Sequence, residues 1–162
     1  MENYMVSESR LALASTRSTC ISLTGVREGR YSLNKHRQKL LDRVPASGDY
    51  VKVEAGTLGL IDLAYLSAKT GDEFAILRSK HEDVLFHGTA TRCTFIGELE
   101  EGLISHRYEL IGHSHPGEDV PEPSLMDRAF LREIGQLKSE VISGRTGRIV
   151  KYTNAFYDYE EV

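Results

Sequence analysis

A chain of 162 residues, 40% hydrophobic and 27% charged, can bury a core without disulfide or metal staples and has the makeup of an ordinary globular protein. No apolar run approaches the roughly 20 residues of a membrane span, so no membrane partner is expected. Residues 1–10 lack the basic start and apolar stretch of a secretory leader, which makes cytoplasmic residence the expectation. The formal net charge of −4 is unevenly spread: residues 1–48 carry eight Lys/Arg against four Asp/Glu, and residues 49–162 carry twelve against twenty. An acidic body argues against a nucleic-acid groove, while the basic piece can meet a polyanion or lie against that body. Cys20 and Cys93 sit in no CxxC pairing, and two free thiols are expected.

Residues 1–30 are rich in Ser, Thr and Arg without a sustained period and read as an arm. From Ser32, a plausible N-cap, Leu33, Leu40, Leu41 and Val44 form one stripe of a short basic amphipathic helix, ended by Pro45 and Gly48. That helix can pack on its own domain or meet a partner. The division drawn is an arm with its short helix over 1–48 and the main domain over 49–162. Tyr50–Glu54 alternates apolar and charged residues and reads as a strand. Thr57–Thr70 is apolar almost all round, so it should be a central buried helix, with Thr57 as its cap and Gly71 ending it.

Two strands are expected over Glu73–Leu77 and Asp83–His87, and a third over Thr89–Ile96. The acidic stretch from Gly97 to His106 reads as irregular or briefly helical. Tyr108–Gly112 is an apolar run that enters His113-Ser114-His115-Pro116, and a loop rich in Pro and acidic residues leads to a helix over Ser124–Leu137. In that helix Leu125, Ala129, Phe130, Ile134 and Leu137 should face inward. Glu140–Ser143 and Arg148–Tyr152 read as a hairpin turning at Gly144–Gly147. With no regular βαβ rhythm, the fold class is α+β, a mixed β-sheet flanked by helices.

His113 and His115 stand two apart at a strand end, so both imidazoles can point the same way and reach one ion. Twelve residues on, Asp127 lies in the first turn of a helix. Two imidazoles and a carboxylate leave a fourth tetrahedral position for water, the pattern of a catalytic zinc site, and imidazole suits zinc better than magnesium. Each piece also has an ordinary reading. An isolated HxH arises by chance, and Ser124-Leu125-Met126-Asp127 is a capping box variant in which Ser and Asp satisfy free helix amides.

Together, His113-Ser114-His115-Pro116 and Pro123-Ser124-Leu125-Met126-Asp127 resemble the HxHP…PSxxD signature of the JAMM (MPN, JAB-domain) zinc metalloproteases, including their bacterial forms. The similarity spans roughly residues 50–152, and the loop from His115 to Ser124 is one residue longer than in archetypal members. Glu73, opening an apolar strand behind a buried helix, looks like the family's upstream glutamate. The resemblance implies a cytidine-deaminase-like MPN fold with zinc held by His113, His115 and Asp127. It implies Glu73 as the base that takes a proton from water and passes it to the leaving amine, and Ser124 as a donor to the oxyanion. The activity implied is that of a metallopeptidase or isopeptidase acting on a polypeptide, ubiquitin-like or belonging to a toxin system. A non-catalytic MPN scaffold and a nucleic-acid-linked protein of the RadC kind are the alternatives. The acidic body weighs against the second.

Overall fold

The computed structural model describes residues 17–156. In chain order its elements are α1 (17–27), α2 (Lys35–Arg43), β1 (Tyr50–Glu54), α3 (Leu60–Thr70), β2 (Phe74–Arg78), β3 (Glu82–His87), α4 (Glu98–Ile104), β4 (Glu109–His115), α5 (Leu125–Ile134), β5 (Lys138–Ser143) and β6 (Ile149–Thr153). The strands form one six-stranded sheet ordered β1-β3-β2-β4-β5-β6. Every neighbouring pair is antiparallel except β4 and β5, which run parallel. The fold is therefore α+β with a mixed sheet. Among the described residues, no helix is long and apolar enough to cross a membrane.

Both faces of this sheet are covered, and strand alternation distributes the residues between them. In β2, Phe74 and Ile76 join one apolar cluster while Ala75 and Leu77 join the other. The first cluster gathers Leu23 and Val26 of α1, Leu40 of α2, and Leu63, Ala64 and Leu66 of α3. The second gathers Leu99 and Leu103 of α4 with Leu131 and Ile134 of α5. Residues 17–27 are thus a helix rather than part of an arm, because Leu23 and Val26 have an apolar layer to complete. Residues 1–16 of the expected arm lie outside the described residues.

Several boundaries differ from expectation for local reasons. Asn34, not Ser32, caps α2, its side chain accepting from the Arg37 amide. Thr57 instead spends its hydroxyl on the Glu54 carbonyl, and α3 begins after Gly59, whose amide donates to Asp62 at 2.9 Å. Arg37 reaches the other oxygen of Asp62 at 2.9 Å and ties α2 to α3. Gly71 ends α3 in the left-handed conformation, with φ 78°. The expected strand over Thr89–Ile96 is irregular: β3 already has a neighbour on each edge, so the segment after it cannot fold back beside β3 as a hairpin. Leu125 and Leu137 are 67% and 65% exposed, since one opens α5 and the other lies beyond its end at Gly135.

Between β2 and β4 the register slips by one residue. Ala75 faces His113 and Ile76 faces Gly112, but Leu77 faces Leu110, leaving Ile111 as the extra residue of a β-bulge. Ile111 packs toward the α3 side. Gly112 faces that side too, where a Cβ would come within 2.5 Å of Leu60. Two consecutive positions thus share one face, and His113 is turned to the other.

If α1 is core, Leu23→Ala should destabilise the protein by about 2–5 kcal/mol, the usual cost of truncating a fully buried leucine. An arm residue would cost well under about 1 kcal/mol. Urea unfolding of the two proteins at equal temperature distinguishes these outcomes.

Candidate metal centre

The bulge and strand alternation bring the polar residues of the site onto the α4/α5 face of the sheet. Glu73 immediately precedes β2 and shares the parity of Ala75 and Leu77. His113 pairs with Ala75 and Val141, both of which face α4 and α5. His115 lies two residues further on the same face, and Ser114 between them points back toward α3. Ser114 Oγ accepts from the Phe74 amide at 2.9 Å and contacts the Ser67 hydroxyl, which donates to the Asp72 carbonyl at 2.6 Å. The Glu73 backbone is held by the same stretch: its amide donates to Thr89 and its carbonyl accepts from Gly88, both at 2.7 Å. The base of the site is fixed by main-chain hydrogen bonds on both sides of Glu73.

Glu73, His113 and His115 are buried and could hold a metal ion, each offering an atom within 4.8 Å of the others. Asp127 stands still closer to the two imidazoles. His113 Nε2 and His115 Nε2 are 3.1 Å apart, and Asp127 Oδ2 lies 3.3 Å from the first and 3.4 Å from the second. Glu73 Oε2 is 3.9 Å from His115 Nε2, one step outside this triangle. Of the two carboxylates, Asp127 therefore completes the tighter set. On its outer side, His115 Nδ1 lies 3.3 Å from Glu118 Oε1, off the line of a straight hydrogen bond.

Ser124 and Asp127 do form the capping box. The Ser124 hydroxyl oxygen accepts from the Asp127 amide at 3.0 Å, and the Ser124 amide donates to Asp127 Oδ2 at 2.9 Å. The cap does not compete with the site, because the same aspartate oxygen faces both imidazoles. The hydroxyl proton of Ser124 is not spent in the box. Among the other histidines, His87 is buried, stacked on Phe74 and bonded to Val44 and Asp72 at 2.7 and 2.8 Å.

Electrostatics follow from packing these groups together. Burial pushes the Glu73 carboxyl up to about 7; His115 opposes this, while the charges of Asp127 and Glu118 add to it. At His115 burial disfavours the charged ring, but the carboxylates of Asp127, Glu73 and Glu118 prevail and push its pKa up to about 9. Burial also works against the charge on Asp127, yet hydrogen bonds from His113 and His115 hold its carboxyl far below the usual range. The field that retains a proton on His115 would act equally on a metal cation.

Sequence reasoning passed over two features here. Glu118 falls in a loop that reads only as acidic, and nothing short of the fold places it against His115. Cys93, given no role, lines a cavity beside the site with Glu73, His113 and Asp127. Burial pushes its thiol well above the usual range, and the charges of Glu73 and Asp127 act in the same direction. It is a neutral wall, not a poised nucleophile.

In protein stripped of metal by a chelator, the His115 ring should titrate near pH 9 rather than near the roughly 6.5 of an unperturbed imidazole. A raised folded-state value means that this proton stabilises the fold fully below about 6.5 and that the contribution is lost as pH rises through about 9. Proton NMR of the imidazole resonances reads the midpoint. A midpoint near 6.5, unchanged by Asp127→Asn, would contradict the electrostatics described.

No protein-family profile, curated protein or solved structure matches the chain, so the functional reading rests on these residues and their geometry.

Proposed function

We propose that the protein is a zinc-dependent amide hydrolase, a metallopeptidase or isopeptidase of JAMM type, with the MPN-like fold that this resemblance implies. The observation that carries the reading is the triangle of His113 Nε2, His115 Nε2 and Asp127 Oδ2, with sides of 3.1, 3.3 and 3.4 Å. Zinc binds such atoms at ~2.0–2.1 Å, and ligands at tetrahedral angles around one centre then stand about 3.3–3.4 Å apart. The donor set fits as chemistry too: two imidazoles and one carboxylate form a three-ligand site with one position left open.

When bound, zinc would supply Lewis acidity, activating a water for attack and polarising the carbonyl attacked. The remaining work falls to side chains. Glu73 lies 3.9 Å from the nearer imidazole, next to the triangle but outside it. From there its carboxyl is placed to accept a proton from the attacking water and return it to the leaving nitrogen. Ser124, with its hydroxyl proton free of the helix cap, would donate to the oxygen that gains charge in the tetrahedral state. Glu118, beside His115 Nδ1, would orient that ring so that Nε2 faces the ion.

Protein purified without added zinc should carry close to one zinc per chain by elemental analysis, and His115→Ala should lose most of it. Full occupancy in that variant would falsify the ligand assignment. Glu73→Gln should keep the metal while hydrolysis of a cleaved substrate from a panel of peptides and ubiquitin-like fusions falls on the order of 10²–10⁴-fold. Asp127→Asn should weaken metal binding itself. If zinc-loaded protein cleaves nothing in the panel, a non-catalytic scaffold is the better reading.

A further inference from the structure

Beside the metal ligands lies a cavity of about 530 Å³ with Glu73, His113 and Asp127 in one wall. Phe95, Leu110, Phe130 and Tyr152 supply apolar surface, with Met126 exposed at the rim, and Arg92, Glu100 and Glu133 also border it. Phe95 and Phe130 pack against each other as a tilted pair with ring centroids 5.6 Å apart, and Tyr152 stands edge-on to His113 at 6.1 Å. Pockets of this size, apolar with a few polar groups converging at one end, are built to take apolar ligand groups.

We infer that this cavity binds a large apolar side chain, aromatic or branched aliphatic, carried by the residue next to the scissile amide. The identity of the occupant comes from position. A side chain packed against Phe95 and Phe130 shares one cavity with His113 and Asp127, so it must be joined to the group that reaches them. A substrate with only glycine at that point would leave aromatic walls facing water and forgo their burial. The preferred substrates are thus peptides with a bulky apolar residue at the cleavage point, rather than chains ending in small residues. The link to cleavage rests on the hydrolase reading; the occupancy of the cavity does not.

The chain has no tryptophan, so the indole of an added ligand can be excited selectively. Titrating N-acetyltryptophanamide into the full-length protein should give a saturable blue shift that survives removal of metal by a chelator. N-acetylphenylalaninamide and N-acetylleucinamide should displace it at concentrations at least on the order of tenfold lower than N-acetylglycinamide, the discrimination an apolar pocket gives. Phe130→Asp should abolish the blue shift. Because that variant also touches the core, Met126→Asp is the companion: Met126 is 74% exposed and its charge reaches only the rim, so weaker binding must appear in a folded protein. Absence of saturable binding, equal displacement by the glycine compound, or unchanged binding in both folded variants overturns the cavity assignment. With zinc restored, peptides with Phe or Leu at the cleavage point should be hydrolysed faster than matched Gly peptides, and equal rates also overturn it. Cavity binding with no hydrolysis of any peptide leaves the site in place and instead overturns the hydrolase reading.

Discussion

Two carboxylates and two imidazoles crowd one mostly buried face, Asp127 within 3.4 Å of both rings and Glu73 3.9 Å from His115, with Glu73 only 6% and His113 only 4% exposed. Taking such groups out of water costs several kcal/mol per charge unless they are compensated. A proton on His115 offsets part of this, and a cation among the four groups would offset it more fully. Much of the surrounding structure can be understood as holding these groups together despite that cost. Ser67 and Ser114 lock α3 to the strand carrying the histidines, and the Ser114 hydroxyl also holds the Phe74 amide next to Glu73. The capping box fixes Asp127 with two hydrogen bonds to Ser124. Ionisable groups held away from water need a rigid frame, and here serine hydroxyls bonded to the main chain supply much of it.

Much of this site was legible in the sequence because its elements are short-range. His113 and His115 are two apart on a strand, and Asp127 is three residues past a helix cap, so local geometry alone points each side chain. Gly71 announced the end of α3 in the same way. Features that depend on distant partners were not legible. α1 escaped notice because only Leu23 and Val26 reach the core, amid Ser and Thr that blur any period. The Thr89–Ile96 segment has the β-branched and aromatic residues of a strand, yet pairing also needs a free edge, and both edges of β3 are taken. Ser124 shows a third situation: the cap uses only a lone pair of its hydroxyl, so the capping and catalytic readings, rivals in the sequence, do not exclude each other.

The two faces of the sheet divide the labour. Toward α1, α2 and α3 the clusters are apolar and closed, with polar ties such as Arg37 to Asp62 at their margin. Toward α4 and α5 the apolar layer stops short at the C-terminal end of β4, and the cavity and the four ionisable groups occupy the gap. The parallel pairing of β4 with β5 supports that end, since the Gly144 amide after β5 donates to the His115 carbonyl at 2.9 Å. The site thus sits where the packing of one layer gives out, not on a mobile surface loop.

The bulge at Ile111 has a consequence for which changes the chain can tolerate. A substitution in β4 alters one side chain, whereas a change of length alters where the following ones point. Ile111 and Gly112 share one face, so loss of either restores strict alternation and leaves both imidazoles on the α4/α5 side. Loss of Ser114 is different, because the two histidines become neighbours and turn to opposite faces. A chain shortened there keeps both histidines and has no centre. The length on which the site depends is the single residue between its histidines, not the extra residue of the bulge before them.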